Sequence, residues 1–190
     1  FGIQSTFCVL HSAWYYGELS GEKYDHSALL EESVLEIQSL GHEINFHNNL
    51  VTVGLQENVN LRQLLFNELE WLRSIGIHVQ GTSTHGDKLC RDLGYRNFEL
   101  FEESIGIRFG GPRTVSFEET GNNVALGALS FSDFDLTYEA YDIHRERYIT
   151  DSGGKLREHT NASGRRSFRL EENCGNVTAM LTHPIWWGGF

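Results

Sequence analysis

The chain has 190 residues and a formal net charge of −11, from 15 Lys and Arg against 26 Asp and Glu. That length suits one domain, and so negative a charge, with no basic block, argues against a nucleic-acid partner. No apolar run nears the ~18 residues that cross a bilayer, so no transmembrane segment is expected. The 2 Pro residues and the absence of low-complexity tracts argue against a disordered chain. The widely spaced Cys8, Cys90 and Cys174 make neither a disulfide framework nor a CxxC metal knuckle. What stands out is 9 His and 20 Gly in a short chain.

In chain order, the predicted elements alternate. Ser5 to Leu10 is apolar and β-branched enough for a buried strand, entered from a turn with no polar lead-in. That apolar start, and an equally apolar end at Phe190, suggest a piece of a longer protein. Asp25 or Ser27 can cap a helix carrying Leu29, Leu30, Val34, Ile37 and Leu40, stopped by Gly41. Glu43 to Phe46 is a short strand running into His47. Asn60 to Ile75 is the clearest helix, with Leu61, Leu64, Leu65, Leu69 and Leu72 on one stripe and Gly76 behind it. Ile77 to Gln80 is the next strand, leading into the 81–86 loop with His85. This rhythm points to a parallel α/β arrangement. Further strands are expected at Thr114–Phe117, Val124–Phe131, Tyr138–Ile143, Tyr148–Thr150 and Val177–Leu181, with an exposed loop over 152–173. No internal repeat or domain boundary is evident.

In a parallel sheet, ligands gather at the carboxyl ends of the strands. His47, His85 and His183 each follow a predicted strand, and so occupy equivalent places despite their distance in sequence. Imidazole is the usual metal ligand and proton carrier near neutral pH, which makes a shared site the sharp alternative to three surface histidines. His11 follows the first strand and could line the same edge. His26 and His42 suit capping or surface positions, His78 a sheet face, and His144 and His159 a solvated stretch. Asp151 ends another predicted strand and either reaches the same rim or forms an Asx-turn into Gly153. Asp87 either orients His85 or begins a turn. Trp186 and Trp187 offer an apolar wall for a sugar ring, or core packing. A Cys–His hydrolase has little support, because Cys8 lies in a buried strand and Cys90 has no evident base.

The segment Gly41-His-Glu-Ile-Asn-Phe-His47 resembles the metal-binding strand of polysaccharide deacetylase-like proteins, the NodB-homology or carbohydrate esterase family four group. Gly2-Ile-Gln-Ser-Thr-Phe-Cys-Val9 is similar to that family's "G-I-x-S-T-F" strand, and Leu181-Thr-His183 to its final "L-T-H" motif. Tyr148 to Gly153 and the His183-Pro-Ile-Trp-Trp187 ending resemble a divergent branch. The resemblance spans nearly the whole chain. It implies a (β/α) barrel-like fold, a distorted or incomplete seven-stranded barrel, with residues 1–190 a single catalytic domain truncated at its N-terminus. The implied activity is metal-dependent removal of acetyl groups from a sugar or polysaccharide. His47 and His85 would bind a divalent metal, most simply zinc, His183 would be the general acid, and Asp151 its partner or a substrate contact. Trp186 and Trp187 would touch the carbohydrate. Three departures are visible, one being that the family's Arg-x-Pro-Tyr motif is unrecognisable, with Gly111-Pro-Arg113 no substitute for it. Val51 stands where typical members carry a second metal His, and the family's Asp-Asp strand belongs upstream of the Gly2–Val9 match. Those departures motivate the alternative of a non-catalytic carbohydrate-binding or scaffold domain on the same fold.

Overall fold

The computed structural model describes residues 2, 4–109, 112–143, 147–151, 154–155, 157–160 and 178–183. The chain divides into two compact units, Phe1–Tyr141 and Asp142–Phe190.

The first unit is mixed α/β around a four-stranded parallel sheet. Strand β1 (Thr6–Leu10) is followed by the hairpin β2 (Gly17–Ser20) and β3 (Lys23–His26), helix α1 (Ala28–Ser39) and β4 (Glu43–Asn48). Helices α2 (Leu50–Gln56) and α3 (Leu61–Ser74) precede β5 (Gly81–Thr84) and α4 (Lys88–Leu93). A 3₁₀ turn at Asn97–Leu100, α5 (Glu102–Phe109), the hairpin β6 (Thr114–Phe117) and β7 (Asn122–Ala125), and β8 (Tyr138–Glu139) complete it. The sheet order is β1-β4-β5-β8, every pair parallel. Among the described residues no helix is long and apolar enough to cross a membrane.

Local chemistry accounts for the helices. Ser27, rather than Asp25, caps α1, its side chain accepting from the Leu30 N–H. Asn60 does the same for α3 through Gln63. Leu64, Leu65, Leu69 and Leu72 of α3 are all buried, as their helical spacing requires. Gly76 ends that helix at φ 86°, with its N–H on Arg73 and the Ile77 N–H returning to Leu72.

Five expectations shift. The strand expected over Tyr138–Ile143 is only Tyr138–Glu139, and the 152–173 stretch expected as a loop carries a strand at Arg157–Thr160. The strand predicted over Ile77–Gln80 lies at Gly81–Thr84 instead. Ile77 and Val79 are buried core contacts of the approach segment, and the small polar residues Gly81 to Ser83 make the ladder. The strand predicted to end at Phe46 runs on to Asn48, so His47 lies within it. The strand expected over 124–131 is cut to Asn122–Ala125, because residues 126–130 turn through Gly127 into a 3₁₀ turn at Phe131–Phe134.

The two faces of the sheet differ. Ile44 and Phe46 of β4 are buried in the hydrophobic cluster that includes Leu30, Val34, Leu65 and Leu69 of α1 and α3. The other face carries Thr6, Cys8, Glu43, Asn45, His47, Ser83 and Tyr138, set side by side by the register. It is a connected polar layer. Tyr138 Oη donates to Glu43 Oε1 at 2.7 Å, Thr6 Oγ1 donates to Glu43 Oε2 at 2.5 Å, and Asn45 Nδ2 donates to Tyr138 Oη at 3.1 Å.

The second unit pairs β9 (Arg147–Thr150) antiparallel with β10 (Arg157–Thr160) and parallel with β11 (Thr178–Leu181).

Gly81 is required by Tyr138, whose ring occupies the space that a Cβ would take. The substitution Gly81→Ala should therefore destabilise the chain by about 1–3 kcal/mol, the usual range for overpacking, read as a lower urea midpoint.

Candidate functional site

The β4–β5 register sets His47 opposite Ser83, and the ladder continues past the strand as the His85 N–H donates to the Asn48 carbonyl at 2.8 Å. His85, two residues beyond Ser83, falls on the face that carries His47. The two rings meet. His85 Nδ1 and His47 Nε2 are 3.2 Å apart, with the rings near perpendicular at 79°. Both side chains are half-buried.

A knot of asparagines holds this corner. Asn97, wholly buried, donates from Nδ2 to the His85 carbonyl and to Asn49 Oδ1, both at 3.0 Å. Its Oδ1 accepts from the Thr52 N–H at 3.1 Å, and its carbonyl accepts from Asn48 Nδ2 at 3.0 Å. Asn49 passes the arrangement outward, Nδ2 donating to Ser12 Oγ at 2.8 Å. One side chain thus ties together the loop after β4, the loop after β5 and the 3₁₀ turn.

His11 belongs to the scaffold of this corner. It is fully buried, stacked on Phe46, with Nε2 accepting from the Asn49 N–H at 3.0 Å and Nδ1 against Tyr24 Oη at 3.1 Å. Because a backbone N–H points at Nε2, the ring is neutral with its proton on Nδ1. Burial pushes its pKa down to about 3, with His47 and His85 adding to the effect. Asp87 caps α4, Oδ1 accepting from the Cys90 N–H and Oδ2 from Thr52 Oγ1. Burial raises that carboxyl, but these hydrogen bonds outweigh it and hold the group below the usual carboxylate value. His26 proves to be neither cap nor surface residue. Its Nε2 meets the buried Glu68 at 2.8 Å, and its ring stacks on Trp71 at 3.6 Å. His42 accepts from the Ser5 N–H, and His78 is exposed.

In the second unit, Asp151 and His183 are brought together. Asp151 Oδ1 lies 2.6 Å from His183 Nδ1, and both its oxygens accept from the His183 N–H, at 3.0 and 2.9 Å. The carboxylate engages Nδ1, and Nε2 is the other nitrogen of that ring. Trp186 and Trp187 lie outside the described residues, as does His144.

Zinc implied by the family resemblance can be tested against this geometry. Two nitrogens, each about 2.0–2.1 Å from a tetrahedral zinc, sit roughly 3.3–3.4 Å apart. The His47–His85 separation fits that as half of a four-donor shell. Among the described residues no group of three His, Cys, Asp or Glu gathers. Cys8 and Cys90 are poorly placed as nucleophiles: burial pushes the Cys8 thiol up to about 11 and also raises Cys90.

The asparagine knot and Ser12 had no counterpart in the sequence reading, since Asn and Ser near strand ends look like ordinary turn residues. No family model, curated protein or solved structure matches the chain.

Two outcomes test this corner. Asn97→Ala should cost roughly 2–4 kcal/mol in urea unfolding, because it strips buried partners from the His85 carbonyl, Asn49 Oδ1 and the Thr52 N–H. His11 refuses in the folded state the proton that an unfolded chain takes up near pH 6.5. Its contribution is therefore complete above about pH 6.5 and lost as the pH falls toward 3. The stability gap between the native chain and His11→Gln should be widest at pH 7 and should narrow at pH 5.5 and pH 4.

Proposed function

We propose that the chain is a metal-dependent carbohydrate deacetylase of the polysaccharide deacetylase-like kind, built on a distorted or incomplete seven-stranded (β/α) barrel. The observation that carries this reading is the His47–His85 pair, two imidazole nitrogens 3.2 Å apart at the carboxyl ends of adjacent parallel strands. The barrel is supported by the polar face of the sheet. An open α/β sheet buries apolar residues on both faces, whereas here Asn45 is wholly buried among Cys8, Ser83 and Tyr138, as suits an enclosed polar interior.

His47 Nε2 and His85 Nδ1 would hold the metal. When bound, a zinc ion supplies a Lewis acid that polarises the acetyl carbonyl and makes water nucleophilic near neutral pH. His183, protonated, would give the Nε2 proton to the departing amine or alkoxide. Asp151 favours that role by fixing the ring orientation through Nδ1. The substrate would be a carbohydrate, with Trp186 and Trp187 as stacking partners.

The alternative of a non-catalytic carbohydrate-binding domain is favoured by one observation. The carboxylate next to the pair, Asp87, is committed to capping α4 and to Thr52, so it is not presented as a metal donor or base.

Metal binding and acetate release separate the two. The chain should bind Zn²⁺ in calorimetry and release acetate from acetylated oligosaccharides. His47→Ala and His85→Ala should each weaken metal affinity by more than the roughly 10–100-fold that outer partners contribute. His183→Ala should leave metal affinity intact while lowering turnover. Zinc binding indifferent to both His substitutions, with no acetate released, sinks the deacetylase reading.

A further inference from the structure

Strand β1 is an outer strand of its sheet: among the described residues it pairs with β4 alone. The Ser5 carbonyl accepts from the Glu43 N–H. By alternation, Ser5, Phe7 and Val9 turn their backbone groups to β4, while Thr6, Cys8 and Leu10 turn theirs outward. Leu10 is satisfied there, its N–H on Tyr15 Oη and its carbonyl on the Ala13 N–H. Among the described residues, Thr6 and Cys8 are left as the open rungs of the edge. Natural edge strands are blunted by a charge, a proline or a bulge. Thr6–Leu10 has no charge and no proline, and its register is unbroken.

The flank beside this edge is apolar. Of the nine exposed large hydrophobic residues among those described, six lie on β1, the loop after it and α1. They are Phe7, Trp14, Tyr15, Leu29, Leu35 and Leu40. Gln38 reaches from α1 to the Gly76 carbonyl, which marks the flank of that helix turned to α3. At about 100° per residue, Leu29, Ser33 and Leu40 lie on the opposite flank. That is the side of the open edge, because β1 stands on the side of β4 away from β5. Leu29 and Leu40 are 66% and 67% exposed.

We propose that this flank joins two copies of the chain about a two-fold axis at Phe7, each β1 pairing antiparallel with the other. Phe7 then faces the partner's Phe7, and Thr6 exchanges both backbone bonds with Cys8 of the partner subunit. The two α1 helices lie antiparallel on the same face of the joined sheet, with Leu29 against the partner's Leu40. In that register Glu36 meets the partner's Ser33 and Glu32 the partner's Ile37, so no carboxylate opposes another. This matters in a chain of net charge −11, which repels its own copy wherever acidic faces meet. An extended peptide could also take the open rungs, but it would leave Leu29 and Leu40 bare. A second copy brings both a strand and a helix, and such an isologous contact closes on itself as a dimer.

The test is sedimentation velocity of the full chain, which should show a dimer at about 100 μM that dissociates on dilution. Leu29→Glu should weaken the dimer about tenfold or more. Leu29→Glu combined with Leu40→Lys should restore it, because each new carboxylate then faces a new ammonium group. Both positions are exposed, so these variants spare the fold. Thr6→Cys gives a second readout. Residues in a hydrogen-bonded antiparallel pair stand about 5.5 Å apart at Cα, which a disulfide can span. Mild oxidation should therefore link the new thiol to Cys8 of the partner subunit, and adding Cys8→Ser should abolish the link. A chain that stays monomeric at about 100 μM overturns the proposal, whether or not it takes up an added extended peptide along β1. So does a dimer that Leu29→Glu leaves unchanged, or one that forms no link between positions 6 and 8.

Discussion

The position of both facing histidines depends on one buried amide. Asn97 has no exposed surface, and its side chain and carbonyl together meet Asn48, Asn49, Thr52 and the His85 carbonyl. Loops at the end of a parallel sheet have no ladder to satisfy their backbone groups, and Asn48, Asn49 and Asn97 are buried here. Each buried N–H and C=O must find a partner, and an amide with two donors and an acceptor supplies three at once. The Phe98 N–H adds a bond to Thr84 Oγ1, so the 3₁₀ turn is tied to the last residue of β5 as well. His85 is consequently placed by groups on both sides of it in sequence and space.

His47 and His85 stand in front of this frame with Nε2 and Nδ1 3.2 Å apart. His11 lies on the opposite face, stacked on Phe46, and both of its nitrogens are committed. Its neutral ring adds no charge beneath the pair. Low local charge matters to either use of the pair, because a cation under two imidazoles would oppose both a metal ion and a proton shared between them. The two nitrogens, 3.2 Å apart, suit a single shared proton.

How much of this could be read from sequence follows the physics of each element. α3 was legible because its burial is one-sided, and leucines at three- and four-residue spacing have no other explanation. α2 was not. Leu50, Val51, Val53 and Leu55 are β-branched or aliphatic and buried all round, so no helical stripe emerges and the segment reads as readily as a strand. β5 was misplaced by four residues for the converse reason. Thr82 and Ser83 are buried but polar, their hydroxyls serving neighbours such as Glu139, so the hydrophobic pattern pointed to Ile77 and Val79 instead. His47 and His85 were legible by position, as histidines at strand ends. The network behind them was not, since asparagine looks alike whether it turns a loop in water or organises a buried corner.

The polar face of the sheet carries the same logic down from the histidines. Glu43, Asn45 and His47 alternate along β4, and Tyr138 reaches across β5 to Glu43 and Asn45. That crossing is possible because Gly81 leaves room for the ring. A parallel strand clad on both faces would ordinarily be apolar throughout. The Glu43 carboxylate and the Asn45 amide on one face of β4 have the cost of their desolvation offset by their hydrogen bonds to Tyr138. The same sequence feature that fixes the tyrosine, a glycine with no turn to make, therefore belongs to the support of the site. Gly81 is set by packing against the Tyr138 ring and not by backbone conformation.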